Sequence, residues 1–305
     1  MEPRDLARLL RISLLPSALA DGLAGLIIGG LGDAPAPSLF LWLPASAALY
    51  HGGMALNDWA DRHHDAATRP DRPIPSGRVP ASLAMLLAAG LLLLGVACAA
   101  AAHPVMGWGA VVLGGCVAAY DLIGRGGLMG PLLLGCCRAL NLGVPLAVAS
   151  RTAGGEPPGL LLAVPLLYGA WVALVSTFAR AEDGEAELVP ATQSRLLLAC
   201  SCALPVPALA LGVALGEPLG GALGALLASS AAAGLLSTWR ATTASEWTRA
   251  RVESTVGLML RRLLVLTASM ALVTSPLGRA GLPTTLLILA GYPLASRLRR
   301  IAPPS

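Results

Sequence analysis

Charged residues are scarce in this chain, and their scarcity indicates its class. Only 12% of the 305 residues are charged, whereas 55% are hydrophobic, and the mean hydropathy is +0.71. A soluble domain carries about a quarter charged residues. Lysine is absent altogether, so every basic charge is an arginine. The deficit excludes an ordinary soluble domain and predicts a chain whose solvent is mostly lipid.

Other absences exclude further classes of protein. The net charge of +4 is spread over short loops and forms no basic stripe, so no nucleic-acid partner is expected. The six cysteines lie in apolar runs and lack the two separated pairs with flanking turn residues typical of a zinc site. The polar, acidic N-terminus does not match a signal peptide, so the first apolar run is expected to be a retained span.

Apolar runs long enough to cross a bilayer, which takes about 20 residues, recur along the chain. The predicted spans are 9–31, 37–56, 80–102, 104–120, 128–150, 158–179, 192–215, 217–239, 255–275 and 281–296. The last run is short, so the pattern predicts nine core spans plus a tenth. No linker marks a second domain. The sequence therefore predicts one all-α, polytopic membrane helical bundle over residues 1–305.

The distribution of arginines predicts the orientation of this bundle, because positive charge collects in cytoplasmic loops. With a cytoplasmic N-terminus and ten spans, all arginines except Arg138, Arg151 and Arg279 fall in cytoplasmic segments. The three long polar stretches, 57–79, 180–195 and 240–254, fall on the same side. The expected location is the cytoplasmic (inner) membrane, with the polar face towards the cytoplasm.

The end of the second span is the most informative segment. Asn57, Asp61 and Asp65 recur every four residues, so a continuing helix stacks them on one face, with Asp58 beside them. Crowded carboxylates repel one another unless a cation bridges them. Mg²⁺ takes oxygen ligands and typically combines a few carboxylates with substrate phosphate oxygens. The spacing therefore predicts a site for Mg²⁺ and a diphosphate.

A loop rich in arginine and proline follows this helix. Arg69, Arg72 and Arg78 alternate with prolines that stiffen the loop. Guanidinium forks suit phosphate oxygens, so these three arginines are predicted to bind the diphosphate. The alternative, a solvated loop of mixed charge, is disfavoured by the spacing of the carboxylates and by the arginine–proline pattern.

Asn57-Asp58-x-x-Asp61-x-x-x-Asp65 and the loop from Arg69 to Arg78 resemble the first aspartate motif of UbiA-type intramembrane prenyltransferases. The residues around the motif are most similar to the EboC-like branch. The resemblance implies a helical bundle around a cavity, with diphosphate and Mg²⁺ at its cytoplasmic mouth and the prenyl tail among apolar helices. It implies metal and diphosphate binding by Asn57, Asp58, Asp61 and Asp65, and phosphate contacts by Arg69 and Arg72.

The second family motif, an aspartate pair after the sixth span, is altered in this sequence. Its place is taken by Arg180-Ala-Glu182-Asp183-Gly-Glu185-Ala-Glu187. Glu182 and Asp183 are expected to replace the aspartates as metal ligands. Arg180 and Glu182 match the Arg-x-Glu of the EboC-like branch, and Arg180 is expected to bind substrate. A solvated acidic loop is the alternative, which leaves a second Mg²⁺ and full catalytic competence open.

Polar residues within the predicted spans are candidates for function, because burying them in hydrocarbon is costly. Arg138 and Asn141 lie three residues apart and are predicted to line the cavity; Arg138 binds phosphate or an acidic acceptor, or pairs with Asp21. Tyr120 resembles the family tyrosine before the following loop and is predicted to contact substrate. The candidate catalytic residues are Asp61, Asp65 and Asp121.

The predicted activity is Mg²⁺-dependent transfer of a prenyl group from an allylic prenyl diphosphate to an acceptor that the sequence does not identify. A terpene cyclase of the same architecture is one alternative. A non-catalytic prenyl-diphosphate binder or transporter is another, although no matching halves of the transporter kind are evident. The expected partners are the prenyl diphosphate, the acceptor and the lipid bilayer; no protein partner is indicated.

Overall fold

The structure, a computed structural model, describes residues 2–31, 36–124, 127–157, 159–182, 187–242, 247–274 and 280–301. These ranges contain α-helices and two short 3₁₀ segments, and no strand. The helices are α1 (Pro3–Leu9), α2 (Leu15–Ile28), α3 (Trp42–Thr68), α4 (Ala81–Ala102), α5 (Pro104–Leu122), α6 (Met129–Thr152), α7 (Gly159–Ala179), α8 (Pro190–Ala203), α9 (Val206–Leu215), α10 (Pro218–Thr242), α11 (Arg249–Val273) and α12 (Gly281–Ile301). The predicted all-α class is confirmed.

The number of membrane spans is close to the number that the sequence predicts. Eight of the described helices are long and apolar enough to cross a bilayer, with α8 and α9 counted as one span. α1 and the segment Ile12–Ile28 form a pair bent by 54°, which makes a ninth span if counted as one. The predicted tenth span forms α12, which packs against α11 and α2. The chain is thus a polytopic helical membrane protein.

Helix α3 carries the predicted motif without interruption. It runs for 27 residues from its apolar beginning at Trp42 through the polar segment to Thr68. It ends there because Arg69 precedes a proline, and the residue before a proline is displaced from helical backbone angles. The expectation that a helix continues from the second span through Asp65 is therefore confirmed.

Glycines bring the central helices into close contact. A Cβ on Gly135 of α6 would lie 2.5 Å from the carbonyl oxygen of Gly169 on α7, and one on Gly169 would lie 2.6 Å from that of Gly135. Gly25 of α2 meets the backbone of α6 at Leu142 in the same way. Only glycine permits such backbone approach, as in other membrane bundles. These crossings place the polar residues of α2, α6 and α7 within reach of one another.

Candidate active site

A cavity of about 360 Å³ lies between α2, α3, α5, α6, α7 and α11. At the end where α5 and α7 finish, its lining includes Arg11, Tyr120, Asp121 and Arg180, which define the mouth. At the opposite end it is lined by Ala18, Ser46, Arg138 and Asn141, which define the floor. Ser46 and Asp58 are twelve positions apart on α3, a rise of about 18 Å, and Asp58 contacts Arg11 of the mouth, so the mouth and the floor are well separated.

Asp58 is the most enclosed carboxylate of the first motif, with 2% of its surface exposed. Its Oδ1 accepts a hydrogen bond of 3.1 Å from Arg11 Nη2 and lies 3.9 Å from Arg72 Nη1. Its Oδ2 is buried and has no hydrogen-bond partner among the described residues. A buried carboxylate oxygen without a donor is costly, so this atom is suited to a cation.

Two further contacts fix the motif in place. Arg72 Nη1 donates a 2.6 Å hydrogen bond to Asp65 Oδ2, and both side chains are buried. Asn57 Nδ2 donates to Asp121 Oδ1 at 2.9 Å, which ties the motif on α3 to the end of α5. Arg72 therefore holds two carboxylates of the motif in position, and Asp121 lies directly beside Asn57.

The remaining residues of the first motif are more exposed. Asp61 is half-buried on α3, and Arg69 is exposed where the helix ends. Arg78 is turned away from the carboxylates of α3, because its Nε lies 2.9 Å from Asp5 Oδ1 on α1. Its Nη2 also donates to the carbonyl oxygen of Asp71. Arg78 thus joins the proline-rich loop to the N-terminal helix.

The second motif begins where α7 ends. Arg180 lines the mouth of the cavity, and Glu182 is half-buried two residues further on, with its backbone N–H donating to Ala179. Asp183, the other predicted metal ligand, lies outside the described residues, as do Arg125 and Arg279 of the orientation pattern. The charged residues of this motif that the structure describes are Arg180, Glu182 and Glu187, and Arg180 lies at the same end of the cavity as Tyr120 and Asp121.

A second polar cluster lies at the floor of the cavity. Arg138 Nη1 donates to Asp21 Oδ2 at 2.6 Å, and Arg138 Nη2 donates to Ser17 Oγ at 3.0 Å. Tyr168 donates to Asp21 Oδ1 at 2.7 Å. Asp21 is fully buried and Asn141 is 6% exposed. Of the roles that the sequence left open for Arg138, pairing with Asp21 is the one seen here.

The donor set at the mouth fits a Mg²⁺ that shares its ligands with a substrate. Within the described residues, no three His, Cys, Asp or Glu side chains come close enough together to hold a metal ion by themselves. Mg²⁺ ordinarily keeps waters and substrate phosphates among its ligands and needs only one or two carboxylates. The unpartnered Oδ2 of Asp58, with Asn57 beside it, provides such a partial set.

Several residues of these clusters, among them Arg11, Ser17, Tyr168 and Asp5, were not among the predicted site residues. The sequence pattern indicated Arg11 only as one of the cytoplasmic arginines. It lies 47 residues from Asp58 along the chain, so no local spacing joins the two. Tyr168 is separated from Asp21 by 147 residues, and Asp5 is separated from Arg78 by 73. One sequence feature could have indicated Tyr168, since it is the single tyrosine of an apolar span.

Comparison with known proteins agrees with this architecture. The model of the UbiA prenyltransferase family matches residues 18–255. The bacteriochlorophyll synthase 33 kDa chain of Cereibacter sphaeroides is 33% identical over 175 residues, which cover 55% of this chain and 57% of that protein. The digeranylgeranylglyceryl phosphate synthase of Methanospirillum hungatei is 35% identical over 80 residues, 26% of this chain and 29% of that protein. The matched segments thus span less than two thirds of these relatives.

Solved structures share the fold. A UbiA homolog from Archaeoglobus fulgidus bound to DMAPP and Mg²⁺ superposes with a TM-score of 0.61 at 16% identity, covering 87% of this chain and 99% of that one. The apo structure of a UbiA homolog from Aeropyrum pernix K1 gives 0.62 at 20% identity, covering 85% and 97%. Fold and site together define a polytopic helical bundle around a cavity whose mouth carries Asp121 and lies beside the carboxylates of α3. The chain belongs to the UbiA prenyltransferase family.

Proposed function

We propose that this protein transfers a prenyl group from an allylic prenyl diphosphate to an acceptor within the membrane, with Mg²⁺ as cofactor. The observation that carries the proposal is Asp58, a buried carboxylate with one oxygen paired to Arg11 of the cavity mouth and the other without a partner among the described residues. Two of the relatives are named as synthases and others as 4-hydroxybenzoate octaprenyltransferases. Structures with the same fold hold DMAPP or GPP together with Mg²⁺.

The metal and the diphosphate are assigned to the mouth of the cavity. The proposed metal-binding residues are Asn57, Asp58, Asp61, Asp65, Glu182 and Asp183. The proposed diphosphate contacts are Arg69, Arg72, Arg180 and Tyr120; Arg78, predicted as a fourth arginine of this set, is paired with Asp5 on α1 instead. When bound, Mg²⁺ would supply positive charge that stabilises the leaving diphosphate. The guanidinium groups of Arg72 and Arg180 add preorganised positive charge at the same end of the cavity.

The apolar wall of the cavity has its own role in this reaction. Leu49, Met54, Val172 and Val175 line the space between mouth and floor. Ionisation of an allylic diphosphate generates a carbocation, which water would capture. An apolar wall limits the entry of water and leaves room for the prenyl chain.

Asp121 is the carboxylate best placed to receive the proton that the acceptor loses. It is 9% exposed, lines the mouth and is held by Asn57 Nδ2. Asp61 and Asp65 are the other proposed catalytic carboxylates. Asp65 is paired with Arg72 at 2.6 Å, which suits a role in binding rather than in proton transfer.

We propose that the mouth faces the cytoplasm and that the protein resides in the cytoplasmic membrane. Support comes from the arginines near the mouth and its end of the bundle, including Arg11, Arg72 and Arg180. Positive charge of this kind is retained on the cytoplasmic side.

The test is incubation of the purified protein with labelled C10 to C20 prenyl diphosphates, Mg²⁺ and a membrane extract. Release of diphosphate and a labelled adduct are expected, and both should fall at least about 100-fold in Asp61→Ala and in Asp58→Asn, the loss typical of removing a group that stabilises charge in the transition state. Asp71→Asn, an exposed carboxylate of the following loop, is the matched control.

Each other outcome of this experiment changes the conclusion. Diphosphate release that persists in Asp61→Ala contradicts the assignment of the first motif. A cyclised hydrocarbon formed without extract identifies a terpene cyclase. Saturable binding of prenyl diphosphate with no turnover on any extract identifies a non-catalytic binder or transporter.

A further inference from the structure

The floor of the cavity contains a polar group that the proposed function does not use. Arg138 is partly accessible from the cavity, with 17% of its side chain exposed, although it lies near the middle of α6. Its charge is balanced by Asp21, which is fully buried and receives a second hydrogen bond from Tyr168. The floor is thus polar but carries no net charge.

Asn141 gives the floor an unmet hydrogen-bonding requirement. Its Nδ2 donates to the carbonyl oxygen of Ala18 at 2.9 Å and lies 3.5 Å from Asp21 Oδ2. Two acceptors on α2 therefore fix the orientation of the amide. Its Oδ1 is buried and has no donor among the described residues, while the residue itself lines the cavity. A ligand that donates a hydrogen bond would satisfy this oxygen.

We propose that the floor, formed by Arg138 and Asn141, binds a hydroxyl group of the acceptor, and that the acceptor is therefore an alcohol or a phenol. A hydroxyl both donates and accepts, so it can donate to Asn141 Oδ1 and accept from the guanidinium of Arg138. A carboxylate has no proton to donate. It would also add an uncompensated negative charge, because Asp21 already neutralises Arg138.

This inference rests on the proposed function, which supplies the second substrate. A prenyl diphosphate has hydrogen-bonding groups only at its diphosphate end, and Asp58 of the proposed diphosphate site lies about 18 Å along α3 from Ser46 at the floor. The hydroxyl at the floor must then belong to the acceptor. It anchors the acceptor at the end of the cavity opposite the diphosphate, so the atom that attacks the prenyl chain is a different one.

The test compares three probes that differ in one group: 4-heptylphenol, its methyl ether and 4-heptylbenzoate. Their binding to the full chain in lipid nanodiscs is measured by equilibrium dialysis, and empty nanodiscs correct for partitioning into lipid. The wild type should bind the phenol about fivefold more tightly than either of the other probes, the factor that corresponds to one hydrogen bond. Asn141→Leu should remove this preference, whereas Ser176→Ala, in the same cavity wall, should retain it.

Binding of geranyl diphosphate with Mg²⁺ to the same proteins separates this inference from the proposed function. If the wild type fails to bind geranyl diphosphate, the proposed function is wrong, whatever the phenol does. If geranyl diphosphate binds but the wild type binds the phenol and the ether equally, the floor is not a hydroxyl site. A preference for the phenol that survives in a folded Asn141→Leu variant also overturns the assignment of the floor as a hydroxyl site. Should that variant fail to fold, the wild-type comparison of phenol and ether decides alone.

Discussion

Arg11 Nη2 lies 3.1 Å from Asp58 Oδ1, so the N-terminal segment contacts the first motif directly. The same nitrogen is 3.3 Å from Asn57 Oδ1. Arg11 occupies the break between α1 and α2, and among the described residues other than glycine it alone has a positive φ, 48°. Such a backbone angle is uncommon outside glycine and accompanies functional contacts. A guanidinium therefore compensates the carboxylate that is proposed to bind the metal.

The Arg11–Asp58 contact predicts competition between Arg11 and Mg²⁺. Arg11→Gln leaves a buried carboxylate with less compensation, so without metal the variant should lose up to about 3 kcal/mol of stability. Mg²⁺ should then raise the melting temperature of the variant more than that of the wild type. Thermal unfolding in detergent over a Mg²⁺ titration measures both quantities. An equal Mg²⁺ response in the two proteins would show that Arg11 and the metal do not share Asp58.

Arg72 is expected to be essential for the geometry of the first motif. Arg72 Nη1 lies 2.6 Å from Asp65 Oδ2 and 3.9 Å from Asp58 Oδ1, and Arg72→Lys keeps the charge but loses the planar guanidinium that places this nitrogen between the two carboxylates. We expect a loss of about 3 kcal/mol or more in Arg72→Met, the range for breaking a buried pair, and a partial loss in Arg72→Lys. Chemical denaturation measures these differences. Arg195→Met, at an exposed position on α8, is the control and should remain near wild type.

Tyr168 is predicted to stabilise the bundle through Asp21. Tyr168→Phe keeps the ring and removes only the hydroxyl that donates to Asp21 Oδ1 at 2.7 Å. A hydrogen bond to a charged group contributes about 1.5–3 kcal/mol, so the melting temperature should fall. Tyr292→Phe, at a half-buried position on α12, is the matched control. Equal melting temperatures for the two variants would indicate that the bond to Asp21 contributes nothing.

The crossing of α6 and α7 is predicted to tolerate no side chain at its centre. Gly169→Ala places a methyl group against the backbone of Gly135, so the helices must separate at a cost of about 1–3 kcal/mol. Gly90→Ala on α4 is the control, because an added Cβ there meets nothing within 4 Å. Thermal unfolding should separate the two variants clearly. A Gly169→Ala protein as stable as Gly90→Ala would contradict the close packing.

Features that depend on local spacing were predictable from the sequence. The alternation of long apolar runs with three polar stretches gave the helical membrane bundle. The four-residue recurrence of Asn57, Asp61 and Asp65 gave the polar end of α3, because residues four apart share a helix face whatever surrounds them. The floor was predictable only in part: Arg138 and Asn141 were expected to line a cavity, but their partners depend on helix crossings that no local pattern encodes.

By itself, then, the sequence determined that this protein is embedded in a membrane, that it is helical, and which helix carries its principal motif. These follow from composition and from helical periodicity, both of which are properties of short segments. The tertiary structure decided that Arg11 compensates Asp58, that Arg78 contacts Asp5, and that Asp21, Arg138 and Tyr168 form one cluster. The reason is physical: these side chains are far apart along the chain, and only tertiary packing brings them within hydrogen-bonding distance, helped at the crossings of α2, α6 and α7 by glycines.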